Sequence, residues 1–520
     1  MGILLVGIIT CIFILLGYVY EILVLKPKRV RLKLEKQGIK GPKPSSLLLG
    51  NIPEIIQIKT QLKKSSHDST LDDSISHDWT SILFPHLKLW QKLYGRMFIY
   101  STGNMQFLSI TDPNIVKEIT HNTTIDLGKP DYLSKDRGPL LGQGIVSSSG
   151  SFWTYQRKLI SPEFFPDKIK GMLGMMVEAS TSMLNSWEDT IKNNDGMAEI
   201  TIDDDLRNLS QDIIAKAAFG SSFSKGKHIF AKIRTLQGLM AKTIHVGVPG
   251  SRYMPTKSNW QIRRLEKEIH QMILKVVEDR IKAKRETDFL QKILEGANTC
   301  TDQLDPTLKI NIEKLIVDNC KTMYFGGHET TSSTATWCLM LLAANPDWQD
   351  RARAEVLHVC QDGLPTVEDL RNLKVLTMII QETLRLYPPA IFASRSALQE
   401  SKLNNIQVPK GIDIQVTIPL LHHDPELWGE DVHKFNPERF ANGIAGACNA
   451  PQAYVPFGFG ARLCLGQHFA MVELKVVLSI ILSKFTFSLS PKYRHSPSFR
   501  LIIEPEHGVP LLLGLVRTKE

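Results

Sequence analysis

The chain has 520 residues, 43% of them hydrophobic and 22% charged, an ordinary globular composition with length for one large domain or two or three smaller ones. Its seven cysteines are odd in number, widely spaced and free of any CxxC or Cys/His cluster, so neither a disulfide framework nor a zinc site is indicated. Of the formal net charge of +9, residues 26–43 carry +7 through eight Lys or Arg against one Glu, so the basic balance is local and does not describe a nucleic-acid-binding surface.

Residues 1–25 are apolar apart from Glu21, long enough for one membrane-spanning helix. The positive charge follows this run rather than preceding it, and no small-residue cleavage site is evident, which favours an uncleaved anchor over a signal peptide. By the positive-inside rule the rest of the chain lies on the cytosolic side. The sequons Asn122-Thr123-Thr124 and Asn208-Leu209-Ser210 would then go unused. Residues 26–55, basic and then proline-rich, read as a juxtamembrane hinge, leaving 56–520 as the catalytic domain.

Within that domain residues 62–80 are polar and read as a surface loop, and MFIYSTGNMQFLSITDP predicts a hairpin turning at Thr102-Gly103-Asn104. The segment Glu313 to Asn345 has no proline and carries apolar residues at helical spacing, which predicts one long uninterrupted helix. Two further helices are expected in TVEDLRNLKVLTMIIQETLRLY, ended by Pro388-Pro389, and in LGQHFAMVELKVVLSIILSKF. With no repeat and no low-complexity tract, the fold class is mainly α with a minor β portion.

The chemistry concentrates in PFGFGARLCLG, Pro456 to Gly466. A cysteine just before a helix is biased toward thiolate by free amides and the helix dipole, and Arg462 adds a fixed cation. Glycines let the backbone approach something flat, and a lone thiolate offered from a loop suits one axial position of a haem iron. Phe457, Gly460, Arg462, Cys464 and Gly466 match the haem-thiolate loop pattern FxxGxRxCxG, a match expected by chance in about one chain in ten thousand of this length.

On these residues the chain resembles the cytochrome P-450 family, and the other family motifs follow in order. Gly326-Gly327-His328-Glu329-Thr330-Thr331 resembles the mid-chain helix motif, in which Glu329 and Thr330 would relay protons to the oxygen site. Glu382 and Arg385 form the ExxR pair, with Arg439 of Pro437-Glu438-Arg439-Phe440 as third member, a structural network rather than a catalytic one. Trp153 and Arg157 match an early WxxxR helix; with Arg395 and Arg462 they would bind haem propionates, to which guanidinium forks are suited. The resemblance covers essentially the whole chain. It implies a cytochrome P-450 fold behind one N-terminal transmembrane helix, haem with an axial thiolate, and residence in the endoplasmic reticulum membrane. It further implies electrons from NADPH-cytochrome P-450 reductase.

The implied reaction is a monooxygenation, with one oxygen atom entering a C–H bond or alkene and the other leaving as water. A haem-thiolate isomerase or dehydratase working without O2, and a non-catalytic haem sensor, are the other readings; the intact Glu329-Thr330 pair argues against both. Finer resemblance of SHDWTSILFPHLKLWQKLYG, VGVPGSRYMPTKSN and DNCKTMYFGGHETT is to a plant group oxidising gibberellins, ent-kaurane diterpenoids and pentacyclic triterpenoid acids. The expected substrate is thus a polycyclic terpenoid, with another plant metabolite such as a cytokinin, alkaloid or fatty acid as the alternative. By family position Phe325, Gly326, Ala390, Ile391, Phe392 and Ala393 would line the pocket, and Lys321 could meet a substrate carboxylate.

Overall fold

The computed structural model describes all residues except 1, 67–74, 122–125, 221–222, 244–245, 283–287, 304–311, 361–363 and 517–520. The first sequon lies outside them. The apolar N-terminus forms α1 (Gly2–Tyr20), which runs through a π-helical turn, Glu21–Leu25, into α2 (Lys26–Glu35). Its most apolar stretch is wholly exposed, and it is long and apolar enough to cross a membrane.

The basic segment expected as part of a hinge is therefore helical over Lys26–Glu35. Pro27 falls where the helix changes from π to α, and that slack absorbs the ring and the missing donor. Val30 and Leu34 bury with Ile99 and Leu108 in the smaller of two apolar cores. Arg31 reaches the carbonyls of Gly41 and Pro42 at 3.1 and 2.9 Å. The anchor thus meets the body through a docked helix, and only the stretch around Pro42 and Pro44 is irregular, since another helix begins at Ile52.

Residues 62–66 end that second helix, 67–74 lie outside the described residues, and His77 and Trp79 are buried. The expected surface loop is thus an aromatic plug at its far end: Trp79 donates to the Leu386 carbonyl at 2.9 Å and His77 bonds the Tyr387 hydroxyl at 2.6 Å.

The hairpin forms as predicted, with β1 (Met97–Thr102) and β2 (Met105–Ile110) joined through Gly103 at φ 59°. Strands β3 (Leu127–Gly128), β4 (Phe392–Ala397) and β5 (Asp413–Thr417) complete a sheet in the order β1-β2-β5-β4-β3. Only the β2–β5 pairing is parallel.

Helices make up most of the rest, and five of them place the site: α3 (Gly150–Ile160), α4 (Ile312–Gly326), α5 (Glu329–Ala344), α6 (Lys374–Leu386) and α7 (Gln467–Lys484). The last is the helix expected after the cysteine loop. Helix α5, polar in its first half and apolar in its second, is buried along most of its length and packs against α6 and α7.

The long helix expected over 313–345 is interrupted at Gly327 and His328, so α4 and α5 are separate. Two consecutive glycines cost about 1 kcal/mol each in a helix, and there is no room for a side chain at 327, where an added Cβ would lie 2.4 Å from Ile214 Cγ1. The Thr330 hydroxyl donates to the Gly326 carbonyl at 3.0 Å, satisfying an acceptor at the break.

Candidate active site

The cysteine loop closes on itself before entering α7. The Cys464 amide donates to the Phe457 carbonyl at 2.9 Å, and Gly458 and Gly460 take φ values of 75° and 63° that only glycine adopts cheaply. Cys464, Phe457, Gly458 and Gly466 face a cavity with about 1550 Å3 of atom-free space, partly open to solvent. Gly460 does not line it. A Cβ there would meet the Thr120 carbonyl at 2.9 Å, so this glycine lets the loop pack against helix Pro113–His121 rather than against a cofactor.

One wall of the cavity carries Lys129, Arg157, Arg395 and Arg462, and no Asp or Glu is among its lining residues. Arg157 donates to the Leu463 carbonyl at 2.7 Å, Arg395 to that of Phe459 at 2.9 Å, and Arg462 to that of Ser148 at 2.7 Å. Trp153 and Arg157 share a face of α3, and the indole supports Arg462, whose guanidinium lies 3.8 Å from the ring centroid. Burial lowers Arg395 to about 10. Burial, with repulsion from Arg395 and Arg157, lowers Arg462 to about 9, and burial with repulsion from Arg395 and Arg462 holds Lys129 well below its ordinary value. Buried like charges without a counter-ion are unfavourable, and a group bearing two carboxylates would relieve them. Lys129 escapes sequence reading, since a lysine before a proline belongs to no motif.

Burial raises the Cys464 pKa above the ordinary thiol value, and the Gly466 amide and Arg157 only partly oppose this. Sγ itself opens onto the cavity, so a cation bound there would add to the Gly466 amide and Arg157 in favouring the thiolate. A lone Sγ, a cationic wall for carboxylates and a large apolar space together fit haem bound through Cys464.

Across the cavity stand Gly326, Gly327, Thr330, Thr331 and Thr334. Glu329 is not on this wall, because neighbouring helical positions point about 100° apart. It is 1% exposed and lies 3.0 Å from Arg234, 3.8 Å from Arg207 and 3.2 Å from His328. Burial raises its pKa, but His328, Arg234 and Arg207 outweigh burial and hold the carboxyl below its ordinary value.

Glu382 and Arg385 are fully buried and paired twice at 2.7 Å. Arg385 also donates to the carbonyls of His422, Val432 and Lys434, and Arg439 stands 3.5 Å from Glu382. The network lies off the cavity.

Of the expected substrate contacts, Gly326, Ala390, Phe392 and Ala393 line the cavity. Ile391 and Phe325 do not; both pack into the larger core. Lys321 is buried 2.7 Å from Asp318, so its charge is already neutralised and unavailable to a substrate carboxylate. Ile145, Val146, Ile214, Thr322 and Met323 line the space instead, and only the fold brings them there.

Residues 77–510 match the family described as Cytochrome P-450. The chain is 52% identical to cytochrome P-450 714C2 of Oryza sativa subsp. japonica, across 97% of this chain and 96% of that one. It is 46% identical to cytochrome P-450 714A2 of Arabidopsis thaliana, across 97% and 98%. Cytochrome P-450 714D1 of Oryza sativa subsp. japonica is 40% identical, across 94% and 90%. The chain belongs to the cytochrome P-450 family, among its plant members numbered 714, and is a haem-thiolate monooxygenase that uses O2 and a reductase partner.

Proposed function

We propose that the enzyme oxidises a rigid polycyclic terpenoid of the gibberellin, ent-kaurane or triterpenoid-acid type, by hydroxylation or epoxidation. Its electrons come from NADPH-cytochrome P-450 reductase. The protein sits in the endoplasmic reticulum membrane by α1, with the catalytic domain in the cytosol. The observation that carries the substrate class is the wall facing Cys464: Ile145, Val146, Ile214, Met323, Ala390 and Phe392 with scattered threonine hydroxyls and no acidic side chain, a surface for a bulky apolar body with few polar groups.

Haem, when bound through Cys464, supplies the oxygen activation that inserts one oxygen atom into substrate and releases the other as water. The protein positions and protonates. Arg157, Arg395, Arg462 and Lys129 would hold the cofactor's carboxylates, with Trp153 bracing Arg462. The hydroxyl of Thr330 donates its single proton to the Gly326 carbonyl, so at rest it offers the cavity an acceptor and becomes a proton donor only by turning away from that carbonyl. Glu329 lies one residue away behind the wall, and must release Arg234 to pass a proton to Thr330.

The test is oxidation of a panel of gibberellins, ent-kaurenoic acid and oleanolic-type acids by yeast microsomes carrying this chain and a plant reductase. A product that requires both NADPH and O2 is expected. Turnover of none of the panel would overturn the substrate class, and product without NADPH would overturn the reaction.

A further inference from the structure

Among the described residues, one group of histidine and carboxylate side chains outside the cavity converges closely. Asp78, His423 and His433 present one ligand atom each, all within 4.8 Å of one another. His423 is 6% exposed and its Nε2 faces the Leu386 carbonyl at 3.1 Å, so the hydrogen is on Nε2. Its Nδ1 is buried without a partner, and so is Nδ1 of His433. A second proton on His423 would sit on Nδ1 with nothing to accept it, whereas a bare Nδ1 is a buried lone pair without a donor. Either state leaves an unmade interaction worth about 1–3 kcal/mol per atom.

This arrangement has the features of a ligand set. A metal-binding imidazole characteristically donates its other N–H to a carbonyl, as His423 does to Leu386, a carbonyl that also accepts from Trp79 at 2.9 Å. The carboxylate is oriented too: Asp78 accepts from Thr80 at 2.9 Å and from Ser81 at 2.7 Å. A tetrahedral ion with bonds of about 2.0–2.1 Å holds its ligand atoms about 3.4 Å apart. Closing the observed spacing needs little more than an ångström, which the half-buried Asp78 and His433 side chains can supply by rotation. Two imidazoles select a transition metal over calcium or magnesium.

We propose that Asp78, His423 and His433 bind a divalent transition-metal ion, of which zinc is the probe. The two histidine rings are already placed by the Glu382–Arg385 network, since Arg385 donates to the carbonyls of His422 and Val432, the residues immediately before them, at 3.0 and 2.8 Å. The ion therefore clamps the segment before Trp79 onto the stretch that Arg385 organises. Lys88, 2.7 Å from Asp78, is its competitor for the carboxylate, and must swing toward solvent when the ion binds. Arg385, the other cation close by, has its charge met by Glu382.

The experiment uses detergent-solubilised holoenzyme stripped with a chelator, titrated with zinc and assayed for non-haem metal per haem. One zinc per haem is expected, with a higher thermal midpoint. His433→Ala and Asp78→Asn should each weaken zinc binding at least tenfold and abolish the thermal shift, while Lys88→Met should tighten binding. Haem content and the reduced carbon monoxide spectrum report that each variant is folded. Should His433→Ala lose haem, cobalt binding to the unaltered protein decides, because ligation by imidazole produces visible absorption bands that binding to exposed carboxylates does not. Zinc uptake unchanged by both Asp78→Asn and His433→Ala, or a stripped holoenzyme that takes up no zinc, would overturn the site.

Discussion

Replacing Arg385 by Leu tests whether the buried network, rather than the cysteine loop alone, holds the haem site together. The guanidinium makes two bonds to Glu382 at 2.7 Å and three more to the carbonyls of His422, Val432 and Lys434, all inside the protein. Removing it strands a fully buried carboxylate, at a cost of about 3–5 kcal/mol. Each orphaned carbonyl adds about 1 kcal/mol. Glu382 keeps only the Asn436 amide at 3.0 Å and Arg439 at 3.5 Å, too little to compensate. Total stabilities run to about 5–15 kcal/mol, so Arg385→Leu should lose most of its haem, read from the reduced carbon monoxide spectrum, and unfold at a much lower urea concentration. Arg439→Ala is the internal control. It loses bonds to the Trp428 and Asp431 carbonyls and its pairing with Asp431 but leaves the Glu382–Arg385 pair whole, so its loss should be smaller. An Arg385→Leu protein with full haem and an unchanged midpoint, or equal damage from Arg439→Ala, would refute the reasoning.

Cys464→Ser should abolish the reduced carbon monoxide absorbance shift of a haem thiolate; a normal shift would show that another side chain holds the iron. Thr330→Ala should slow product formation and let NADPH consumption outrun it, because the hydroxyl on the cavity wall is gone; tight coupling in the variant would remove Thr330 from the proton path. Lys321→Met should leave the KM for a carboxylic-acid substrate unchanged, since Asp318 already takes that charge; a rise in KM would reinstate the lysine as a substrate contact. Burial raises Asp413 to about 7 against the Ser396 hydrogen bond, so the folded state keeps a proton the unfolded chain has released. Asp413 should therefore contribute a fall in stability of at most about 1.4 kcal/mol per unit as pH rises from about 4 to about 7, and Asp413→Asn should remove that contribution, leaving the similar one from Glu473, which burial raises to about 8; an unchanged slope, measured by urea unfolding, would place the titration elsewhere.

What was legible in the sequence was what is local in the chain. The cysteine loop is a single stretch, so its glycines, Arg462 and Cys464 carry their geometry with them, and the hairpin at Gly103 needs only its own residues. Trp153 and Arg157 on one helix face, and Glu382 and Arg385 on another, were readable for the same reason. Periodicity failed where a tertiary contact decided. The apolar pattern over 313–345 continues through Gly326-Gly327, and only the fold shows Ile214 of another helix standing where a side chain at 327 would go. The basic run looked like a linker because its buried face, Val30 and Leu34, is a narrow stripe among lysines and arginines. Lys129, Asp78, His423 and His433 belong to separate segments, so no spacing announces what they form.

The two sides of the cavity differ in how their charges are met, and this bears on how the enzyme assembles. Glu329 and Glu504 share Arg234 and Arg207, so the charges behind the wall opposite Cys464 are balanced within the protein. The cysteine side holds four cations with no acidic side chain on its wall, and burial lowers the pKa of all four. Each is less favourable charged there than in water, so the polypeptide alone carries an electrostatic penalty that only an anionic guest removes. A guest that binds the folded form and not the unfolded one adds its binding free energy to stability. The cationic wall and Cys464 therefore couple folding to haem loading, while Glu329, already paired with Arg234, gains nothing from an anionic guest.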